Sequence, residues 1–326
     1  MSVAPAARGS RRRRPVLRIV LDKLPRVVRR LLPFLLLASL ALPGCRDSGA
    51  NAPGVVATST QVADITRAVA GDRVKVAQIL EPGSDPHDYE PRPSDAAALA
   101  KSKVVIRSGG EVDDWLAGLL DQAGGDARVV TLEDHVERIP DDPHWWQDPR
   151  NGVLAVEAIK AALIEADPRG AHGYEARAAA YAGRLRTLDE DIAACVAKLR
   201  PQERKLVTGH DALGYYARRY GFTVIGAAIP SRSSQAQPSG RATKRLTDQI
   251  RAAKVNAIFP EQALNRKLET AIARDAGAEV GGSLWADALG PPGSTGATYL
   301  GSLAANTRTI VSGLSDGRLT CARLPR

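Results

Sequence analysis

The sequence has few of the residues that mark the commoner kinds of catalytic site. Its 326 residues include only three cysteines and five histidines, and it contains no HExxH pair of the zinc-protease type. Cys45 lies in the leader segment discussed below, which leaves Cys195 and Cys321. Two cysteines in an exported protein could form a disulfide, and their spacing matches no catalytic or metal-binding pattern.

Excess charge is also lacking once the first 45 residues are set aside. The formal net charge of +9 would suggest a polyanionic partner. Residues 1–45, however, hold ten basic residues and one acidic residue, so that 35 of each sign remain in the rest of the chain. The remainder is neutral, and we therefore expect no nucleic-acid partner.

No apolar run is long enough for a mature membrane span. The run from Leu31 to Leu42 follows an arginine-rich segment and contains Pro33, which is typical of a secretory signal peptide. It ends in LPGC (42–45), which resembles a bacterial lipoprotein box and predicts that Cys45 is lipidated. Because Pro43 is unusual in such a box, an ordinary signal peptide cleaved near Cys45 stays open as the alternative. Residues 46–54 are predicted to be a polar tether.

After the tether, strands and helices alternate, which predicts βαβ units and parallel sheets. Strands are predicted at 55–59, 74–80, 103–109 and 127–132, and again at 205–209, 223–229, 256–260 and 278–285. Long helices are predicted between the two sets, the longer one running from about 174 to 200 before Pro201. The fold class is therefore α/β, with an N-terminal lobe (55–172), a linking helix (173–200) and a C-terminal lobe (201–326).

Two of the five histidines lie where open sheets bind their ligands, and a third precedes the helical region. His87 follows the strand at 74–80, His210 follows the strand at 205–209, and His144 lies just before the helical region. Ligands of open α/β sheets bind beyond the carboxyl ends of strands. His135 and His172 have no such context, and we expect them on the surface.

His87 and His144 share a second feature, because each ends an Asp-Pro-His tripeptide. Proline restricts its own backbone and that of the residue before it, so each histidine is presented from a stiff loop. Such presentation suits a metal ligand. The nearby acids are expected to form turns and helix caps, and the polar segment 230–241 is expected to be a mobile loop near the cleft. The acids are Asp85, Asp142, Asp148 and Asp211, and Asp211 is predicted to cap the helix after His210. Ser94 is predicted to cap the helix after His87.

Five segments in order resemble the solute-binding proteins of zinc and manganese ABC importers, the cluster A-I type. The segments are GSDPHDYEPRPSD (83–95), DPHWWQDPRN (142–151), GHDALGYYARRYGF (209–222), IFPEQALNRKLETAIARDAG (258–277) and SLWADALG (283–290). The resemblance extends from about residue 54 to the end of the chain. It implies two α/β lobes joined by a rigid long helix, with the metal held in the cleft between the lobes.

Carried onto this sequence, the resemblance implies four ligands: His87 and His144 from the first lobe, and His210 and Asp287 from the second. Three imidazoles and one carboxylate suit four-coordinate Zn²⁺, and manganese members of the family commonly carry a carboxylate at the position of His210. Glu261 is the alternative fourth ligand, or a partner that orients a histidine. Zinc members often have a histidine-rich loop, whereas this chain has only His135 there, which argues against a second zinc site.

The expected function is capture of Zn²⁺ outside the cytoplasm and its delivery to an ABC permease with its ATPase. The protein is expected to be a monomer, either anchored to the membrane by a lipid on Cys45 or free in the periplasm, and no catalytic residue is assigned. One alternative is a binding protein of the same family for manganese or another divalent transition metal. The other is a zinc hydrolase, in which Asp287 is not a ligand, water takes the open position and Glu261 is the base.

Overall fold

The first of two parallel sheets begins immediately after the predicted tether in this computed structural model, which describes residues 54–325. The predicted signal peptide, Cys45 and the tether up to residue 53 lie outside the described residues. The strands are short and rich in valine, as expected for a sheet buried on both faces. They are β1 (Val55–Ala57), β2 (Val76–Gln78), β3 (Val104–Arg107) and β4 (Arg128–Thr131), in the order β2-β1-β3-β4.

The helices of this lobe are α1 (Thr60–Ala70), α2 (Pro93–Leu99) and α3 (Leu116–Ala123). The cap predicted at Ser94 for α2 was wrong, since the N-cap is Arg92, two residues earlier, and the helix begins at Pro93. Asp95 instead accepts a hydrogen bond of 2.7 Å from the backbone N–H of Arg92. A proline in the first turn needs no hydrogen-bond acceptor for its nitrogen, which explains the earlier start.

Two helices follow the first sheet, α4 (Pro149–Ala166) and α5 (Ala171–Val196). Asp148 caps α4 by accepting a hydrogen bond from the backbone N–H of Arg150 at 2.9 Å, as predicted. The 26 residues of α5 make a rod of about 39 Å. Its buried residues recur every three or four positions along one face, so that α5 packs along its whole length against α4, α1 and the last helix.

The second sheet repeats the strand order of the first. It contains β5 (Lys205–His210), β6 (Thr223–Ile229), β7 (Ala257–Ile258) and β8 (Glu279–Val280), and all its pairings are parallel. A bridge between Thr208 and Phe259 joins the two pairs in the order β6-β5-β7-β8. The strand predicted at 278–285 is broken at Gly282, whose φ of 112° leaves the extended region, and pairing resumes at Leu284.

The helices of the second lobe are α6 (Gly214–Tyr220), α7 (Gly240–Ala253), α8 (Lys267–Ala276) and α9 (Tyr299–Leu314). The largest buried apolar cluster takes residues from both sheets, such as Val55 and Phe259, with α1, α4, α5 and α9 between them. Because the two lobes share one core, separating them widely would expose apolar surface. The lobe boundaries stay predictions, since this cluster crosses them.

The carboxyl end of α5 is tied to the last residues of the chain. Cys195, on α5, forms a disulfide with Cys321, and their Cα atoms are 5.4 Å apart. Between residues 54 and 325, no helix is both long enough and apolar enough to cross a bilayer.

Candidate metal centre

Four side chains converge between the two lobes: His87, His144, His210 and Asp287. Each offers one ligand atom, and these four atoms lie within 4.8 Å of one another. They come from the turn after β2, the loop before α4, the end of β5 and the loop after β8. The structure therefore brings together all four of the ligands that the sequence predicts.

Four distances among the donor atoms of this cluster lie near those expected around a four-coordinate ion. The Nε2 atoms of His144 and His210 are 3.3 Å apart. Asp287 Oδ2 lies 3.3 Å from His87 Nε2 and 3.1 Å from His210 Nε2, and Asp287 Oδ1 lies 3.6 Å from His144 Nε2. Four donors placed tetrahedrally around zinc would be about 3.3–3.4 Å apart, given metal–ligand distances of about 2.0–2.1 Å.

The four side chains are shielded from water, each being at most 3% exposed. Among the described residues, His87 Nε2 and both carboxylate oxygens of Asp287 are buried without a hydrogen-bond partner. Buried polar atoms without partners are costly and uncommon in native proteins. A cation bound between these atoms would compensate for that cost, so this donor set fits a metal ion.

His144 is oriented by the aspartate of its own Asp-Pro-His turn. Asp142 Oδ1 accepts a hydrogen bond from the backbone N–H of His144 at 3.1 Å and lies 2.8 Å from the ring Nδ1. Since a carboxylate can only accept, the proton of the ring is on Nδ1, and the lone pair of Nε2 faces the other ligands. Asp142 was expected to form a turn, and it also selects the tautomer of His144.

His210 is oriented in the same way by Glu261. The ring Nδ1 donates to Glu261 Oε1, and the same oxygen accepts from the backbone N–H of His210 at 3.1 Å. Glu261 follows β7, which is joined to β5 by the bridge between Thr208 and Phe259, and Glu261 itself forms a bridge with Leu284. This geometry makes Glu261 a partner that orients His210, in keeping with the second of the two roles considered from the sequence.

Asp287 belongs to the second half of the chain, but its neighbours bind the first lobe. The carbonyl oxygen of Ala286 accepts hydrogen bonds from Trp146 Nε1 at 2.9 Å and from Gln147 Nε2 at 2.7 Å. On the other side, the N–H of Leu289 donates to Thr60 Oγ1 at 2.8 Å. The carboxylate is therefore held on both sides by residues of the first lobe.

The charges within the cluster shift the pKa values of two of its members. Burial lowers the pKa of His210, but the carboxylates of Asp287 and Glu261 outweigh this and raise it well above 6.5. Burial raises the pKa of Asp287, and the histidines His210 and His144 outweigh this and hold it well below 3.8. The cluster therefore contains an ionised carboxylate and a histidine that binds a proton readily in the absence of a metal.

The tryptophans beside the ligands differ in their surroundings. Trp145 and Trp146 are buried, and the ring of Trp146 packs edge-on against His144 with centroids 5.4 Å apart. Trp285 is only partly buried. Of the two histidines expected at the surface, both His135 and His172 are exposed.

Two expectations for the surrounding loops need correction. Asp211 does not cap α6, which begins at Gly214 without a side-chain cap, and its carboxylate lies 3.3 Å from Arg232 Nη1 instead. Segment 230–241 is bound to the first lobe, through Arg232 and Ser234. Sequence reasoning missed these two residues. The repeated Asp-Pro-His tripeptide could have pointed to them. Each aspartate has two carboxylate oxygens, and its histidine binds only one, which leaves the other for a partner elsewhere in the chain.

A comparison with known protein families matches residues 55–313 to the family described as "ZnuA: Zinc-uptake complex component A periplasmic". The match covers both lobes and all four convergent residues. The chain belongs to that family.

Individual relatives agree on the family and differ in the metal that they are named for. The chain is 31% identical to "Manganese-binding lipoprotein MntA" of Halalkalibacterium halodurans over 283 residues, which is 84% of this chain and 93% of the relative. It is 26% identical over 299 residues to "Iron ABC transporter substrate-binding lipoprotein MtsA" of Streptococcus pyogenes serotype M1, or 87% and 96% of the two chains. Among solved structures, the periplasmic zinc binding protein TroA from Treponema pallidum superposes with a TM-score of 0.76 at 28% identity, over 80% of this chain and 99% of that one.

Membership of the ZnuA family makes this chain an extracytoplasmic, metal-binding solute-binding protein of an ABC importer. It is not an enzyme, so the zinc hydrolase considered from the sequence was wrong. The α/β architecture with parallel sheets and a long helix, predicted from the sequence, is confirmed.

Proposed function

We propose that this protein captures Zn²⁺ outside the cytoplasm and delivers it to an ABC permease. The observation that carries the proposal is the donor set, three imidazole nitrogens and one carboxylate oxygen that lie within 4.8 Å of one another. Zinc favours four-coordinate sites with nitrogen donors, whereas manganese favours more oxygen ligands and a larger coordination number. In this proposal His87, His144, His210 and Asp287 bind the ion, and Glu261 orients His210.

His144 and His210 would bind the ion through an unprotonated Nε2 and keep the proton on Nδ1, which is the tautomer that Asp142 and Glu261 support. Binding therefore requires no rearrangement of these two rings. Delivery to the permease and its ATPase, anchorage through a lipid on Cys45 and a monomeric state complete the proposal.

A manganese-binding function is the second candidate. It is supported by the similarity to the manganese-binding lipoprotein, which extends over 84% of this chain. The donor set favours zinc over this candidate, because a single carboxylate and three imidazoles offer little oxygen to manganese.

The test compares Zn²⁺ with Mn²⁺ in two ways: by their binding to the purified protein, and by the growth of cells depleted of each metal. Competition with chelators would measure the affinities of the mature protein for Zn²⁺ and Mn²⁺, and X-ray absorption would count the nitrogen and oxygen ligands. Zinc generally binds such a site more tightly than manganese whatever its biological role, so affinity alone does not decide. A deletion strain that fails to grow only in zinc-depleted medium supports the proposal, whereas a defect only in manganese-depleted medium supports the second candidate.

A further inference from the structure

One segment of the second lobe binds both of the turns that carry the ligands of the first lobe. The segment is Ser231–Gln235, between β6 and α7, and we call it the strap. Its contacts with the first turn are made through Asp85. Asp85 Oδ1 accepts from the backbone N–H of His87 at 2.9 Å, while Asp85 Oδ2 accepts from Ser234 Oγ at 2.5 Å.

The second turn repeats this division of the carboxylate. Asp142 Oδ1 contacts the backbone N–H and the ring Nδ1 of His144, while Asp142 Oδ2 accepts a hydrogen bond from Arg232 Nη1 at 2.8 Å. In each Asp-Pro-His turn, one carboxylate oxygen therefore binds the backbone N–H of the histidine, and the other binds the strap of the opposite lobe.

The contact between Arg232 and Asp142 is the stronger of the two. The carboxylate of Asp142 is fully buried, and the side chain of Arg232 is 29% exposed. A charged pair shielded from water is costly to break, because it leaves a buried carboxylate without its partner.

The strap is also fixed beside His210. Arg232 Nη1 donates to the carbonyl oxygen of Asp211 at 2.9 Å, and the N–H of Asp211 donates to the carbonyl oxygen of Ser231 at 3.0 Å. Since Asp211 directly follows His210, the strap links His210 of the second lobe with both Asp-Pro-His turns of the first.

Gly214 permits this arrangement at the start of α6. A Cβ atom at that position would collide with Asp142 Oδ2 and lie 3.2 Å from Arg232 Nη1. Only glycine allows the helix backbone to approach the ion pair this closely.

We propose that the strap is a positioning element that holds both ligand turns against the second lobe and thereby sets how slowly bound metal leaves. The proposal rests on the proposed function. For the ion to leave, the ligands of the two lobes must separate, and the bonds of Arg232 and Ser234 must break as they do. Their loss should therefore speed dissociation more than it changes association.

The experiment uses the mature chain with Zn²⁺ alone, and it measures dissociation by stopped-flow transfer to an excess of chelator. We expect Arg232→Ala to speed dissociation about 10–100-fold, the range typical for partners that orient ligands. Ser234→Ala should act in the same direction and more weakly, and Arg232→Lys should restore part of the loss because it keeps the charge without the planar fork.

Matched controls separate this role from charge and from general stability. Arg241→Ala removes one positive charge from an exposed position close to the strap in sequence, and Gln237→Ala truncates an exposed polar side chain of the same loop. Both should dissociate zinc at the wild-type rate. The ligand count by X-ray absorption should match the wild-type protein in every variant, since the four ligands are intact. The metal-free controls should also keep the wild-type melting temperature, whereas Arg232→Ala is expected to melt lower because it leaves the buried carboxylate of Asp142 without its charged partner.

Wild-type dissociation rates in both Arg232→Ala and Ser234→Ala would overturn the proposal, as would equal acceleration in Arg241→Ala. Ser234→Ala removes only a hydroxyl group, and it keeps the test decisive should Arg232→Ala fold poorly. If the wild-type protein binds zinc and the strap variants behave like it, only the role of the strap fails. If the wild-type protein itself binds no zinc, the proposed function fails.

Discussion

Glu261 contacts the Nδ1 atom of His210, on the side of the ring opposite to the Nε2 atom that faces Asp287. The imidazole thus lies between two carboxylates that have different tasks. One supports the tautomer of the ring, and the other is placed among the ligand atoms.

This division of tasks predicts unequal effects for the two acids. Glu261→Gln should weaken zinc binding about 10–100-fold, as is typical when a partner that orients a ligand is changed. Asp287→Ala should weaken it further, because it removes a donor atom and the only carboxylate among the four convergent residues. Chelator competition measures both affinities, and X-ray absorption should find the ligand set unchanged in Glu261→Gln. A missing oxygen ligand in Glu261→Gln, with none missing in Asp287→Ala, would assign the fourth ligand to Glu261.

Replacing a convergent histidine should matter far more than replacing an exposed one. We expect His210→Ala to lower the affinity for zinc by more than about a hundredfold, since the orienting partners alone are worth about 10–100-fold. His135→Ala should leave the affinity unchanged, because His135 is exposed in the turn after β4. Isothermal titration of the two variants side by side checks this. Zinc binding by His210→Ala at the wild-type affinity would refute the ligand assignment.

Metal binding should weaken as the pH falls, beginning above the ordinary pKa of histidine. In the metal-free protein burial lowers the pKa of His210, but Asp287 and Glu261 outweigh it and raise the pKa well above 6.5. A metal needs the unprotonated ring, so proton and metal compete, and affinity falls by about tenfold per pH unit for each proton displaced.

Calorimetry in buffers with different ionisation enthalpies would count the protons released on binding. Glu261→Gln removes one of the two charges that raise the pKa, so the loss of affinity in that variant should begin at lower pH. An affinity that stays constant from about pH 8 to about pH 6, where an unperturbed imidazole already titrates, would contradict the prediction.

The disulfide should contribute to stability without affecting the metal centre. Replacing Cys195 and Cys321 together by serine is expected to lower the free energy of unfolding by about 2–5 kcal/mol, since the bond closes a long loop. Zinc affinity should not change, because the bond joins α5 to the end of the chain rather than to a ligand turn. Urea denaturation of the metal-free protein, with and without reductant, measures the effect. Two titratable thiols in the denatured, unreduced wild-type protein would show that the bond does not form.

Local sequence patterns were sufficient for the strands and for the convergent histidines. Runs of valine predict buried strands, and the positions of His87 and His210 after such strands place them at a ligand-binding edge. The boundaries were less predictable where two local signals compete. At α2, the proline in the first turn and the carboxylate of Asp95 decided the start of the helix, and not the serine between them.

The roles of individual acids could not be read from local sequence. Asp211 precedes a helix and is of a residue type that often caps helices. Its carboxylate instead lies beside the guanidinium of Arg232, which is distant in the sequence. Glu261 becomes the partner of His210 only because the end of β7 lies beside that ring, whereas Asp142 reaches His144 within its own turn.

The sequence by itself determined the α/β class, the two sets of strands, the long helix and the identity of the convergent histidines, because periodicity and chain stiffness act over a few residues. Only the tertiary structure decided that Glu261 orients His210, that the neighbours of Asp287 bind the first lobe, and that the strap binds both Asp-Pro-His turns. These contacts join residues far apart in the chain, as between Trp146 and Ala286 or Asp85 and Ser234. Their distances are set by how the two sheets pack around α1, α4, α5 and α9, which no local pattern encodes.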